Sequence, residues 1–179
     1  MANGRLNGET DTADWVREAF EQHRRSLLRY CRTLTGNRES AEEIVQETFT
    51  RLCREQAIDE ASHVKRWLFK VCRNQAIDET RKQRPITMST LQEHDVEAGD
   101  PQPDEQFFAS ETVARLMQFV AALPARQLEV VRLRFQAELS YAEIADVVDT
   151  SVNNVGVLLH EAIKNLRKKM KETGSQNDQ

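Results

Sequence analysis

Apolar residues recur every three or four positions along most of the chain, which is the period of an amphipathic helix. In the first half, this pattern predicts helices over residues 14–35 and 41–52 and a third helix that includes residues 67–82. Residues with helix-ending or helix-capping chemistry flank each segment. We expect Gly36 to end the first helix, Ser40 with Glu43 to form a capping box for the second, and Ser62 to cap the third.

The apolar stripes of these three helices predict a shared core. Three cysteines fall on the stripes, and an odd number without a CxxC pair favours buried free thiols over disulfides or a zinc site. The predicted buried positions are Val16, Phe20, Leu27, Tyr30, Cys31 and Leu34 in the first helix, Ile44, Val45, Thr48, Phe49, Leu52 and Cys53 in the second, and Val64, Trp67, Leu68, Val71 and Cys72 in the third.

The second half begins with residues 85–106, where prolines and acidic side chains without periodicity are typical of an extended linker. Helical spacing resumes at Phe107, and Pro124 is expected in the first turn of a further helix. Residues 139–170 combine a short helix, a tight turn and a longer helix, as in a helix-turn-helix. The apolar positions of the two helices that precede it are Phe108, Val113, Leu116, Met117, Val120, Leu128, Val131, Leu133 and Phe135. The helix-turn-helix pattern itself consists of a capping box of Ser140 with Glu143, Ile144, Ala145, Val155 and Leu158 at and beneath the helix crossing, Asp149 at the turn and Ser151 as a cap.

The scarcity of glycine and proline, six and four residues in 179, and the lack of alternating strand patterns predict an all-α protein. We expect two small helical domains, residues 14–84 and 107–172, joined by a flexible acidic linker over residues 85–106. No apolar run is long enough to cross a bilayer and the N-terminus lacks the apolar core of a signal peptide, so we expect no membrane insertion and a cytoplasmic location. No phosphate loop, nucleophile elbow or metal-ligand spacing is present, and we expect no catalytic residue, cofactor or metal.

The formal net charge of −4 is unevenly distributed. Residues 15–84 carry a net +4 and residues 125–172 a net +1, whereas residues 85–124 carry −6. The acidity therefore belongs to the middle of the chain, and the two predicted helical domains keep a modest positive balance suited to nucleic acid. Isolated domains with so small an excess are expected to bind phosphate weakly.

Two neighbouring helices have contrasting outer faces. The helix over residues 41–52 presents carboxylates and amides, and the helix that includes residues 67–82 presents Arg, Lys and Asn. This contrast indicates an adaptor that holds a protein and a polyanion together. The helix-turn-helix pattern adds a second candidate nucleic-acid surface, although a plain three-helix bundle has the same periodicity.

These segments resemble the extracytoplasmic-function (ECF) sigma factors of bacterial RNA polymerase, in the sigma-70 family. AEEIVQETFTRL with WLFKVCRNQAID is similar to family region 2, a helical bundle, and residues 123–166 are similar to family region 4, a helix-turn-helix. The resemblance covers residues 15–171. It implies that Glu43, Gln46 and Glu47 contact the clamp helices of the polymerase's largest subunit, although a solvated charged face would look the same.

The resemblance also implies that the third helix reads the −10 promoter element. Asn74 matches the family asparagine beside the pocket for a flipped base, and an amide offers both a donor and an acceptor to a base edge. Asn74 as a helix cap or bridge is the alternative, and Trp67 fits either strand opening or the core. The residues implied in −10 binding are Lys65, Arg66, Lys70, Arg73, Asn74, Arg81 and Lys82.

In region 4 this chain departs from the family, whose recognition helix commonly carries Arg or Lys where this chain has Gly156, Val157 and Glu161. We expect Glu161 to repel the DNA backbone unless it meets a cytosine amine. Reading of the −35 element then depends on DNA shape, on the helix N-terminus and on the basic end of the helix. The residues assigned to −35 binding are Ser151, Asn153, Asn154, His160, Lys164, Arg167 and Lys168.

The partners implied by the resemblance are core RNA polymerase, through its clamp helices and flap, promoter DNA, and an anti-sigma factor. The acidic linker fits either a nucleic-acid mimic in the polymerase cleft or a solvated tether. Two other functions stay open at this point: a stand-alone helix-turn-helix regulator of a duplex operator, and an interaction protein that occupies polymerase or a regulator without reading DNA.

Overall fold

The computed structural model describes residues 9–54, 61–83 and 111–174, with side chains for 14–54, 63–82 and 113–172. Across these ranges all regular structure is α-helical, which confirms the predicted fold class. The chain divides into two compact units, Met1–Pro85 and Ile86–Gln179. The helices are α1 (Glu9–Thr35), α2 (Arg38–Arg54), α3 (Ala61–Gln83), α4 (Glu111–Ala121), α5 (Ala125–Phe135), α6 (Tyr141–Val148) and α7 (Val152–Gly174).

The N-terminal unit is a bundle in which α1 packs against both α2 and α3 and these two pack on each other. Leu27, Leu52, Leu68 and Phe69 are fully buried at its centre. The Tyr30 ring lies 5.4 Å from the ring of Phe69, between centroids. Phe69 was missing from the predicted stripe, although its side chain is among the largest in the core.

The end of α1 follows the prediction. Gly36 adopts a left-handed backbone with φ 66°, a region open to glycine at little cost, and its N–H donates to Arg32 O at 2.9 Å. The predicted capping box of α2 is wrong, because α2 begins at Arg38 and Ser40 lies inside it. The side-chain oxygen of Asn37 instead accepts from Glu39 N at 2.8 Å, and asparagine is as good an N-cap as serine. The bounds of α3 likewise place Ser62 inside that helix, with its side chain outside the described set.

The cysteine prediction holds at two of three positions. Cys31 and Cys72 are buried, whereas Cys53 is exposed because it lies one position beyond Leu52, where the helix turns toward solvent. The Thr48 hydroxyl donates to Ile44 O at 2.8 Å and lies 3.3 Å from Cys72 Sγ. A hydrogen bond with Cys72 and burial raise the pKa of Cys31, so this thiol stays protonated and behaves as a small core residue.

In the C-terminal unit, α7 packs against α4, α5 and α6. Leu133, Leu139, Ile144 and Val155 are fully buried. Phe135, predicted to continue the apolar face of α5, is 63% exposed because it is the last residue of that helix. Pro124 is the N-cap of α5, with an extended ψ of 143°, and therefore precedes the first turn in which it was expected. Val113 and Met117 of the predicted α4 stripe are exposed.

The turn between α6 and α7 has the predicted helix-turn-helix chemistry. Ser140 and Glu143 form the capping box at the start of α6. Asp149 ends α6 in the left-handed region, φ 55° and ψ 60°, which aspartate tolerates better than most residues. Ser151 Oγ accepts from Asn154 N at 3.1 Å and caps α7. This confirms two predicted caps and fixes the start of α7.

Candidate polymerase and nucleic-acid interfaces

The outer side of α2 carries Glu43, Gln46 and Glu47, which we call the acidic-amide face. All three side chains are exposed, whereas Ile44 and Val45 are buried on the opposite side of the helix. The helix is therefore held by its apolar stripe, and the acidic-amide face is open to a partner. Glu47 forms an i,i+4 ion pair with Arg51, 3.0 Å between Oε1 and Nε, and such a half-exposed pair stabilises by only about 0.3–0.5 kcal/mol.

A polar bridge joins α2 to α3 beneath this face. With its amide oriented to suit both neighbours, Gln75 donates to Ile44 O at 3.2 Å and accepts from Arg51 Nε and Nη1 at 3.2 and 3.3 Å. Arg51 thus connects Glu47 to Gln75 on the next helix. Sequence reasoning missed Gln75, although its position three residues after buried Cys72 indicates an inward phase.

The predicted −10 residues of α3 divide into two groups by helical phase. At 100° per residue, Arg66, Lys70, Arg73, Asn74 and Arg81 fall within about a third of the circumference, whereas Lys65 and Lys82 lie on either flank. Asn74, Arg81 and Lys82 are exposed and the other four are half-buried. The structure thus brings five of the seven together into one cationic face, and Trp67 is half-buried beside it.

Asn74 is exposed on this face and one turn from Lys70. Within the described part of the chain, no hydrogen bond of its side-chain amide is found, which distinguishes it from its neighbour Gln75. The described residues therefore provide no capping or bridging partner that would explain an asparagine here. Its donor and acceptor are available to a base edge.

By helical phase Lys65 lies away from the cationic face, and it is close enough to His23 of α1 for its charge to act on that side chain. Burial, with the positive charge of Lys65 nearby, lowers the pKa of half-buried His23. The folded bundle therefore favours the neutral imidazole of His23. On α3, Lys65 lies on a different side of the helix from Asn74.

We expect the N-terminal unit to lose stability as the pH falls below about 6.5, the ordinary histidine pKa. Above that pH both folded and unfolded chains hold neutral His23, and below it the unfolded chain binds a proton that the folded chain resists. Urea unfolding of the full chain at pH 7.5 and 5.5 measures the loss. His23→Gln should flatten it relative to the same substitution at exposed His63, and an unchanged pH dependence in His23→Gln would contradict the assignment.

The outer side of α7 collects most of the predicted −35 residues. Asn153, His160, Lys164, Arg167 and Lys168 share one face by helical phase and all are exposed. The other two predicted residues, Ser151 and Asn154, make side-chain hydrogen bonds within the fold. Ser151 caps the helix, and half-buried Asn154 donates from Nδ2 to Thr150 Oγ1 at 2.9 Å.

Glu161 has a partner that the sequence did not reveal. Gln127 of α5, only 8% exposed, donates from Nε2 to Glu161 Oε2 at 3.2 Å, and Asn165 donates to Gln127 Oε1 at 3.2 Å. These three side chains lock α7 onto α5. Glu161 is thus held toward α5, and its carboxylate already accepts one hydrogen bond within the fold rather than projecting freely toward DNA.

The arrangement is that of a helical protein with one acidic-amide surface and two separate cationic helix faces, the second on a helix-turn-helix. Residues 19–86 match the sigma-70 region 2 family and residues 114–166 match the sigma-70 region 4 family. No helix in the described ranges combines the length and apolar content needed to span a bilayer.

Curated relatives extend the similarity over most of the chain. The ECF RNA polymerase sigma factor SigL of Mycobacterium tuberculosis is 32% identical over 166 residues, 89% of this chain and 90% of that protein. The RNA polymerase sigma factor YlaC of Bacillus subtilis is 24% identical, and the match covers 88% of this chain and 92% of YlaC. The ECF sigma factor SigE of Mycolicibacterium smegmatis is 29% identical, but the chain spans only 64% of its length. The chain belongs to the ECF sigma factors of the sigma-70 family.

Proposed function

We propose that the protein binds core RNA polymerase through the acidic-amide face of α2, recognises the −10 element with α3 and the −35 element with α7, and so starts transcription at selected promoters. Its family makes it a transcription initiation factor for RNA polymerase and promoter DNA. The particular contacts are our proposal. We propose that α2 contacts the clamp helices of the polymerase's largest subunit and that the C-terminal unit contacts the polymerase flap.

The observation that carries this proposal is the division of surfaces in the N-terminal unit. The acidic-amide face of α2 and the cationic face of α3 belong to adjacent helices that share one core and are joined through Arg51 and Gln75. Two helices packed and bridged in this way support simultaneous contact with a protein and with DNA phosphates. The chemistry of RNA synthesis then belongs to the polymerase, and we propose that this chain supplies no catalytic residue and acts in the cytoplasm, where the polymerase is.

The −35 assignment rests on the exposed face of α7. Its cationic residues Lys164, Arg167 and Lys168 are suited to phosphates, whereas Asn153 and His160 nearer the start of the helix are suited to base edges. Helix-turn-helix proteins place the early part of the second helix against the bases. We also propose that an anti-sigma factor regulates the protein, as is typical of the family. The linker predicted over residues 85–106 lies outside the described residues.

We expect the double variant Gln46→Ala with Glu47→Ala to bind core polymerase at least about fivefold more weakly than the wild type, since interface residues of this kind contribute about 1 kcal/mol or more. Folding should stay close to wild type because both side chains are exposed and the Glu47–Arg51 pair is weak. Titration of labelled core enzyme with the full chain measures the affinity.

The matched control changes an amide and a carboxylate on α1. Gln22 donates to Glu18 at 3.0 Å, and both side chains are exposed, so Glu18→Ala with Gln22→Ala removes the same chemistry away from α2. This control should bind like the wild type. Equal affinity of the Gln46/Glu47 variant and the wild type would remove the acidic-amide face from the polymerase interface.

A further inference from the structure

The recognition helix has an apolar side chain in the middle of its polar face. Val157 is 46% exposed. By helical phase it shares one face with Asn153 and Lys164, and along the helix axis it lies between them, one turn after Asn153 and two turns before Lys164. His160 flanks it on the same face. The apolar stripe of α7 is satisfied elsewhere, with Val155 and Leu159 buried, so the bundle core does not require Val157.

Valine offers a base neither a donor nor an acceptor. Among the features of the major groove, the C5 methyl group of thymine is the one that gains from apolar contact. Burying a methyl group of this size against another is worth about fourfold in affinity. Val157 therefore favours thymine and gains nothing comparable from the other three bases.

Asn153 lies four residues before Val157, about 6 Å along the helix axis and close to the rise of two base pairs. An asparagine side chain pairs with the N6 and N7 positions of adenine in the major groove. Glu161, the residue that would favour cytosine, accepts from Gln127 of α5. The described face of α7 thus offers two groups suited to A·T pairs, and the one carboxylate suited to a C·G pair is engaged within the fold.

We propose that Val157 contacts the methyl group of a thymine, and Asn153 the edge of an adenine about two base pairs away, so that the upstream element read by this protein is specified by A·T pairs at these two positions. This specificity rests on the proposed −35 role of α7. The proposal also explains how a recognition helix without Arg or Lys in its first two turns selects a sequence. The cations later in the helix position it on the DNA phosphates, and the methyl contact distinguishes thymine from the other bases.

The test uses holoenzyme assembled from the full chain and core RNA polymerase. Promoters are first selected from a pool with a randomised upstream element, and each thymine of the selected element is then replaced singly by deoxyuridine, which removes only the methyl group. We expect one replacement to lower the rate of stable complex formation by about fourfold. The shorter side chain of Val157→Ala should bind the thymine promoter more weakly and lose most of the sensitivity to that replacement.

The control is Val113→Ala, the same change at an exposed valine of α4, and this variant should keep the full deoxyuridine effect. Two results would overturn the proposal: a wild-type holoenzyme that is insensitive to every deoxyuridine replacement, or a Val157→Ala holoenzyme that keeps the full effect. In either case, successful selection of promoters would still support the proposed function. Failure to select any promoter in a polymerase-dependent manner would instead overturn the function, and this specificity with it.

Discussion

Replacing Asn74 with alanine is expected to relax selection at one position of the −10 element by about 1–3 kcal/mol, a factor of roughly 5 to 150, without weakening polymerase binding. The amide is exposed on the cationic face of α3 and has no hydrogen-bonding partner within the described ranges, so its removal leaves no polar group of the fold unsatisfied. Transcription from a promoter library, with every −10 position varied in turn, measures the loss position by position.

Gln75→Ala is the matched comparison, because it alters the adjacent amide. Gln75 bridges Ile44 O and Arg51, and its loss should lower the stability of the N-terminal unit and reduce activity on all promoters alike. The two variants therefore separate base recognition from support of the fold. A uniform fall across the library with Asn74→Ala would show that Asn74, too, acts through the structure.

Glu161→Arg is expected to reduce the free energy of unfolding of the C-terminal unit by about 1–3 kcal/mol. The Gln127 amide, 8% exposed, would lose the acceptor that Glu161 provides, and an arginine cannot accept a hydrogen bond. Hydrogen exchange of the amides in α5 and α7, followed in the full chain, reports this loss separately from the N-terminal unit.

Glu161→Gln separates the structural role from the electrostatic one. Its amide oxygen still accepts from Gln127, so stability should remain near wild type, while removal of the negative charge should tighten binding of the holoenzyme to duplex upstream DNA, most clearly at low salt. If Glu161→Arg proves as stable as Glu161→Gln, the hydrogen bond from Gln127 contributes little to the stability of the C-terminal unit.

Helical periodicity and local capping chemistry predicted the fold class and most of the core. Both signals are local, since a stripe needs only the phase of one helix and a cap only a few neighbouring residues. Two of the errors have a local cause, a competing cap in one case and a helix end in the other. Asn37 outcompeted Ser40 as a cap, and Phe135 reached solvent because no further turn follows it in α5.

The polar bridges were beyond the reach of sequence patterns. Gln127 is buried because Glu161 and Asn165, 34 and 38 residues later, satisfy its amide. A pattern within one helix assigns glutamine to the surface, and only the tertiary structure brings its partners together. The phase of Gln75 on α3 indicates that it faces inward, but no pattern within α3 identifies its partners Ile44 and Arg51 on α2. The contacts proposed for the acidic-amide face, for Asn74 and for α7 remain predictions, since they concern partners outside this chain.

The central claim is tested most directly by run-off transcription with purified core RNA polymerase, the full chain and promoters recovered by selection. A sigma factor of this family should yield a product of fixed length from a fixed start site, absent when the protein is left out and reduced by the Gln46/Glu47 double variant. A protein that binds these DNA fragments without polymerase and gives no defined product with it would contradict the claim.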